Sequence, residues 1–351
     1  MKKSIKSLCV IVMAVFFLIG CGTNKDNKKN EGKVKLDPEN PISIRVWHYY
    51  NGSQQAAFDE LVNEFNSTKG KELGINVEGI SQGTVSDLAK TVSDSIDGKV
   101  GVDKLPDIFS SYADTAYYAQ QKGKLVDLSE YFSKEELEKY VDSYIEEGYL
   151  KNDKALYLFP VAKTTESLMI NKTDWEPFAK QTGSSLDELK TIEGVVKVAK
   201  RYYEWTDAKT PNKPNDGKAF YGRDSMANYF VIGMKQLGKD IFEIKDGNVT
   251  FNVDKKLIKR LWENYYVPYI NSYFTALGKF RSDDVKTGDI LAYTGSSMSA
   301  MYFPDRVEDD DKSYDIDYEV LPAPIMSGGE NYKVQQGADM AVTKSDKKHE
   351  Y

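Results

Sequence analysis

From Ile42 onward the apolar residues of this chain switch repeatedly between two spacings, every second residue and every third or fourth. A chain patterned that way folds as alternating strands and helices. Ile42-Ser43-Ile44-Arg45-Val46-Trp47 alternates apolar and polar side chains as a strand does, and Asn51-Gly52-Ser53 turns out of it. Ser53 is placed to cap the next helix, in which Ala57, Phe58, Leu61, Val62 and Phe65 recur at helical spacing and predict one buried stripe. Residues 75–80 read as a second strand, 84–96 as a second helix with Val85, Leu88, Val92 and Ile96 on one face, and 106–110 as a third strand. Such alternation predicts a mostly parallel sheet with helices on its faces.

The pattern continues with clear punctuation. Ser133 with Glu136, and Ser185 with Glu188, have the spacing of a reciprocal cap, in which hydroxyl and carboxylate satisfy free amides at a helix start. Residues 156–159 and 167–171 read as strands. Helices are predicted over 185–205, 226–237 and 255–269, and further strands over 289–293, 316–321 and 339–343. The acidic stretch 305–315 reads as a surface loop, and no repeat of 20–50 residues is present. Lys344 to Tyr351 read as the cap and first turn of a helix that buries nothing by itself, so a C-terminal part is expected to be missing.

Residues 1–21 follow a different plan. Lys2, Lys3 and Lys6 precede an apolar run over 8–19, and Leu18-Ile19-Gly20-Cys21 sets a small residue before a thiol, the arrangement of a bacterial lipoprotein signal. Twelve apolar residues fall short of the roughly 20 that a spanning helix needs. The reading is a leader over 1–20 and a lipid-bearing, palmitoylated Cys21. Residues 22–41 are polar, rich in Lys and Asn, and form a flexible tether that holds the folded part roughly 25 Å from the lipid. The folded part then stands on the extracytoplasmic face of the bacterial cell membrane.

Without the leader the balance is 44 basic to 54 acidic residues, a net of −10. An acidic surface of this kind excludes nucleic acid as a partner, because phosphate binding needs clustered Lys and Arg. Only Cys9 and Cys21 occur, so the folded part has no disulfide and must be held by core burial. The length from Ile42 suits two lobes. With only His48 and His349 present, a two-histidine metal site or a Ser-His-Asp triad lacks material. No Gly-rich phosphate loop occurs. Asp309-Asp310-Asp311 lacks the spaced ligands of a calcium loop. Neither metal nor cofactor is expected.

Five segments in order carry a likeness to a known family: IRVWHYYNGSQQAAFDELVNEFN from Ile44, LPDIFSSYADTAYYAQQKGKLVDLSEYF from Leu105, LYLFPVAKTTESLMINKTDW from Leu156, TGDILAYTGSSMSAMYF from Thr287 and VQQGADMAVTKSDKKHEY from Val334. The chain resembles the family 1 extracellular solute-binding proteins of ABC importers, which include maltose-binding and glycerol-3-phosphate-binding proteins. The resemblance implies an α/β, two-lobe periplasmic-binding-protein-like fold of type II, with a hinge of crossing strands and ligand held in the cleft between lobes. The crossings fall near 162–166 and 335–338. The first lobe is 42–165 with 336–351, and the second is 166–335. It further implies a monomeric, non-enzymatic receptor that binds a carbohydrate and hands it to permease subunits driven by a separate ATPase. Glycerol phosphate in place of sugar, a lipid-anchored surface enzyme acting on glycans, and an adhesion protein remain alternatives at this point.

Site residues carry over from the resemblance position by position. The loop after the first strand supplies Tyr49, Tyr50, Asn51 and Ser53. Tyr112 and Asp114 follow the third strand; a carboxylate suits ligand hydroxyls because it only accepts, although Asp114 also suits a helix cap. Thr164 and Thr165 match the hinge position, where ordinary strand packing is the competing role. Asp224 and Gln336 are further candidates. Gly295, Ser296 and Ser297 match a turn at which relatives place a small residue or a sugar-stacking aromatic, and helix amides there suit an anionic group. Met298, Tyr302 and Tyr229 offer flat surfaces or core packing, and Lys163 or Arg223 offers a partner for phosphate.

Overall fold

The structure, a computed structural model, describes residues 35–150, 155–245, 248–309 and 312–351. The leader, Cys21 and nearly all of the tether lie outside the described residues. Two units form along the chain. The described residues of Val161–Ala338 make the second, and the described residues up to Pro160 together with Asp339–Tyr351 make the first.

In the first unit β1 (Ile42–His48) lies between β2 (Ile75–Ser81) and β3 (Ile108–Ser111) and is parallel to both, with Ile42 opposite Ile75 and Val46 opposite Ile108. The alternation in β1 sends Ile44, Val46 and His48 inward, and Trp47 is buried as well. The core joins Trp47 and Phe109 to Leu88 and Val92 of the helix Val85–Ile96. Thr84 and Asp87 close a reciprocal cap on that helix. The predicted stripe on the helix Gly52–Ser67 is only half covered, with Phe58, Val62 and Phe65 partly buried and Leu61 64 % exposed. The reason is the edge strand beneath it. Asn66 reaches β2 instead, its amide donating to the Val77 carbonyl at 2.8 Å and accepting from the Val77 amide at 2.7 Å, which occupies an otherwise unpaired edge. Ser53 does not cap this helix. Asn51 holds that position, without a side-chain bond.

Residues 156–159 form no strand. Their backbone bonds go to turns, Leu128 N to Leu156 O and Tyr157 N to Gly148 O, and only Phe159 bridges to Met340.

The second unit runs through β4 (Glu166–Asn171), β5 (Tyr221–Arg223), β6 (Phe242–Lys245), β7 (Asn248–Phe251), β8 (Ala292–Ser296), β9 (Arg306–Asp309), β10 (Lys312–Asp315) and β11 (Tyr318–Pro322). The chain then returns to the first unit as β12 (Asp339–Val342), antiparallel beside β3. The main sheet of the second unit has the order β11-β4-β8-β5. It is mixed, because β4 is antiparallel to both β11 and β8 and only β5 with β8 is parallel. Its core packs Leu168 and Ile170 against Trp175, Phe178, Val195, Val198 and Phe220.

Two predicted helices break where the backbone requires it. Ser185 and Glu188 do form the reciprocal cap, yet they open only the short 3₁₀ turn Leu186–Lys190. Thr191 is extended, with φ −125° and ψ 150°, and caps the long helix Ile192–Asp207. Gly194 allows the sharp step, since a Cβ there would lie 1.9 Å from the Glu188 carbonyl oxygen. The helix predicted over 255–269 divides into Lys255–Glu263 and Tyr266–Ile270, and Pro268, which has no amide to give, sits in the second piece. Within the acidic stretch 305–315, expected as a loop, β9 and β10 instead pair antiparallel. Val307, 1 % exposed, faces Tyr314 across the pair, while Glu308 and Asp315 on the alternate positions are exposed.

Candidate functional site

In an open α/β sheet, polar groups collect at the carboxyl ends of parallel strands, where loops leave the sheet. In the first unit those ends belong to β1 and β3, adjacent and parallel. Tyr49, Tyr50, Asn51 and Ser53 follow β1, and Tyr112 and Asp114 follow β3, so the structure brings both groups to one edge of one sheet. Tyr49 and Tyr50 are partly buried, with rings 5.3 Å apart, whereas Asn51, Ser53, Tyr112 and Asp114 are exposed. Tyr112 is the N-cap of the helix Ala113–Gln121, so Asp114 is not a cap residue. It stands in the first turn, where its carboxylate accepts from the Thr115 amide at 2.7 Å.

Beneath this edge lies a residue that the sequence reading passed over as a site member. His48, at the end of β1, is fully buried and accepts the Tyr50 amide at Nδ1, 3.1 Å away. Its ring stacks on Tyr50 and meets the edge of Phe58. Nε2 is buried with no hydrogen-bond partner among the described residues. Burial holds the imidazole below its ordinary range, with the Asp59 carboxylate opposing. Burial likewise raises the Tyr50 phenol, with Tyr49 adding to the rise and the Ser110 hydroxyl opposing it.

In the second unit the corresponding edge is formed by the start of β4 and the ends of β5 and β8. Glu166 lies opposite Ser296, and Arg223 opposite Thr294. Ser296 caps the 3₁₀ turn Ser297–Tyr302, accepting the Met298 amide at 3.3 Å. The Ser297 amide donates to Thr165 O at 2.7 Å. Thr165 Oγ1 donates to Val334 O at 2.8 Å, and Thr164 and Gln336 exchange both backbone bonds. Thr164, Thr165, Ser296, Ser297 and Gln336 therefore form one connected group. The Gln336 side-chain oxygen Oε1 is buried without a hydrogen-bond partner among the described residues.

Asp224 joins them through Gly295. A Cβ on Gly295 would lie 2.3 Å from Asp224 Oδ2, so only glycine lets the carboxylate rest there. Asp224 Oδ1 accepts the Arg281 amide at 3.1 Å. Burial raises this carboxyl above its usual range, and the Arg281 amide and guanidinium oppose the rise. Arg281 is buried and committed to Asp284 and to the Gly278 carbonyl.

Tyr229 is a core residue, 3 % exposed, with its hydroxyl bonded to the Leu261 carbonyl at 2.7 Å. Tyr302 is exposed and Met298 partly so. Lys163 donates to the Gly337 carbonyl at 3.0 Å. Arg223 is buried and ion-paired with Glu166, and Asn228 donates to the second Glu166 oxygen at 3.1 Å. Its guanidinium is thus committed to a carboxylate. Glu166, separated from Arg223 by 57 positions, could not be paired with it before the strand register was known. Among the described residues no group of three His, Cys, Asp or Glu side chains is placed to hold a metal, and no helix is long and apolar enough to cross a membrane.

The sequence profile of a family described as bacterial extracellular solute-binding protein matches residues 60–351. A comparison with curated proteins finds no match. Among solved structures, a Mycobacterium tuberculosis protein in complex with glycerophosphocholine is similar at a TM-score of 0.68 and 17 % identity, over 88 % of this chain and 74 % of that one. The galacto-N-biose/lacto-N-biose I-binding protein of a Bifidobacterium longum ABC transporter, solved with lacto-N-biose, gives 0.66 and 15 % over 90 % and 73 %. An ABC substrate-binding protein of Listeria monocytogenes in complex with cycloalternan gives 0.65 and 17 % over 89 % and 73 %. The fold is the mixed α/β fold of two-lobe solute-binding proteins, and the chain belongs to the bacterial extracellular solute-binding proteins.

Proposed function

We propose that the chain is the lipid-anchored, extracytoplasmic binding subunit of an ABC importer. It captures a carbohydrate through the polar strand-edge residues of its units and passes it unchanged to permease subunits. The observation that carries this reading is the makeup of those edges within a solute-binding family. Asp114 and Asp224 offer carboxylate acceptors, Thr164, Ser296, Ser297 and Gln336 offer neutral groups, and Tyr49 and Tyr112 offer rings with polar tips, a set suited to hydroxyls and sugar faces. Two structural neighbours are described as holding lacto-N-biose and cycloalternan. Monomeric action and lipid attachment at Cys21 belong to the same proposal; the second rests on the leader and its small residue before the thiol.

The test is a titration of the full chain with mono- and oligosaccharides and with glycerophosphocholine, read by melting temperature and tryptophan fluorescence. A carbohydrate that raises the melting temperature by mass action, recovered intact afterwards, supports the reading. A response to glycerophosphocholine alone replaces sugar with a phosphodiester, product formation makes the chain an enzyme, and silence across the panel rejects capture of either class. Cys21→Ala should release the protein from membranes of expressing cells, and an unchanged membrane fraction removes the anchor.

A further inference from the structure

Tyr49 and Asn51, two of the candidate solute contacts, stand on either side of Tyr50, and the short connection from β1 to the helix Gly52–Ser67 is tied down at that residue. The Tyr50 carbonyl accepts the Ser81 hydroxyl of β2 at 3.0 Å, its phenol lies against the Ser110 hydroxyl of β3, and its amide donates to His48 Nδ1 at 3.1 Å. Asn51 adds no side-chain bond at the helix start. The aim of both neighbours therefore depends on how Tyr50 is held.

A buried polar group ordinarily finds a partner for each of its hydrogen-bonding atoms. His48 is fully buried and spends one nitrogen. Because Nδ1 accepts, the proton of the neutral ring sits on Nε2, which has no hydrogen-bond partner among the described residues. Packing holds the ring. Tyr50 stacks on it with centroids 5.1 Å apart, and Phe58 meets it edge-on at 4.7 Å. Gly79 of β2 leaves the room, since a Cβ there would lie 2.8 Å from the Phe58 ring and 3.6 Å from Nε2. An apolar ring would pack here without leaving a donor unmet. What histidine adds is an acceptor for the Tyr50 amide.

A proton on Nδ1 would set two donors face to face. Of the elements packed around the ring, the helix Gly52–Ser67 brings the Asp59 carboxylate and the connection brings the Tyr49 and Tyr50 phenols. The strands β2 and β3 bring Gly79, Ser81 and Ser110, which do not titrate. Burial favours the neutral ring, and Asp59 opposes.

We infer that His48 is a positioning residue for solute capture: as the neutral imidazole it fixes Tyr50 and so aims Tyr49 and Asn51, and a proton on Nδ1 releases them and weakens capture. The role rests on the carbohydrate capture proposed for this edge.

Lacto-N-biose, maltotriose and cycloalternan are neutral sugars, so any pH dependence of their binding to the full chain belongs to the protein. The dissociation constant of each that binds, measured by calorimetry from pH 7.5 to 5 well below the melting temperature, should rise with acid, by about twofold to tenfold once the imidazole is fully protonated. His48→Phe removes the acceptor and should bind more weakly at every pH. His48→Asn returns an acceptor near the Nδ1 position, and should recover part of that loss and flatten the pH profile. Carboxylates that titrate in both chains cancel in the comparison. Equal pH profiles in the unaltered chain and His48→Asn, or a His48→Phe that binds as tightly as the unaltered chain, overturn the role. Should His48→Phe not fold, the first comparison decides. If none of the three sugars binds, carbohydrate capture is what fails, and hydrogen–deuterium exchange over residues 49–53 then decides for His48. Corrected for the intrinsic effect of pH, exchange should quicken with acid in the unaltered chain and not in His48→Asn, and equal behaviour overturns the role.

Discussion

The two strand edges that carry the candidate ligand groups are built in opposite ways. In the first unit Asn51, Ser53 and Asp114 are exposed; Asn51 caps its helix without a side-chain bond, and the Asp114 carboxylate bonds to the neighbouring Thr115. In the second unit Thr165, Ser296, Ser297, Asp224 and Gly295 interlock, and a buried Glu166–Arg223 pair stands directly behind them. A group held by its neighbours keeps its aim without a ligand. A group held only by its turn must be ordered when the ligand arrives, at about 0.5–1.5 kcal/mol for each flexible side chain. Under the proposed function the second unit would supply orientation and the first contacts that adapt. Substitutions at the second edge should damage the fold, and those at the first should spare the fold and change affinity.

The largest effect is expected at Glu166. Glu166→Ala leaves the buried Arg223 guanidinium without its carboxylate, and breaking such a pair costs about 3–5 kcal/mol. Urea unfolding of the full chain measures it. Glu166→Leu combined with Arg223→Met should recover most of the loss, because the unpaired charge is what destabilises. If Glu166→Ala costs no more than an exposed substitution, the second edge is not held from behind and the contrast fails.

Gly295→Ala comes next. The added methyl would stand 2.3 Å from Asp224 Oδ2, so either the carboxylate leaves or β8 shifts, and overpacking of this kind costs about 1–3 kcal/mol. Gly295→Ala with Asp224→Ala should be more stable than Gly295→Ala alone. Additive losses in that pair would mean that the glycine answers to something other than Asp224.

These two predictions also mark what sequence could and could not reveal. The alternation from Ile42 to Trp47 sufficed for β1, and the Ser133 and Ser185 spacings sufficed for two caps, because both signals are local. The extent of a helix is less local. Thr191 ends one turn and caps the next helix, a choice forced by the close approach of Gly194 to Glu188. Acid density concealed the period of two in β9 and β10, where Val307 and Tyr314 turn inward. The Glu166–Arg223 pair depends on β8 lying between β4 and β5, a register that no stretch of sequence displays. His48 passed unnoticed because a lone histidine after a strand carries no motif, and its burial comes from Phe58 and Tyr50 closing over it.

His48 gives the first edge a fixed point and a smaller, pH-dependent prediction. The folded imidazole is held below the 6.5 of the free side chain, so the unfolded chain takes up the proton first. The contribution is complete above about pH 6.5 and is lost as the pH falls from there toward the folded value. Protonation at Nδ1 would also remove the acceptor of the Tyr50 amide and loosen the loop that begins the first edge. His48→Asn can keep an acceptor near Nδ1 while removing the titration. Its stability, followed by urea midpoint between pH 7.5 and 5, should show a shallower decline than the parent. An identical decline assigns the acid sensitivity to carboxylates elsewhere.

The smallest effect on the fold is expected at Asp114, where the contrast is sharpest. The carboxylate is exposed in the first turn of Ala113–Gln121 and, among the described residues, bonds to Thr115 alone, so Asp114→Ala should cost about 0.3–1 kcal/mol, its share of the helix dipole. A hydrogen bond from a ligand hydroxyl to this carboxylate is worth about 1.5–3 kcal/mol. The same substitution should therefore weaken binding of whichever carbohydrate responds by about tenfold to a hundredfold. Asp114→Asn retains an acceptor of the same shape without the charge and should fall between the two. Measured side by side with Gly295→Ala, the pair separates the edges: one loses affinity with its fold intact, the other loses stability first. Should Asp114→Ala bind as well as the parent, the exposed carboxylate serves only the helix beneath it, and the adaptable edge must be sought in Tyr49, Asn51 and Tyr112.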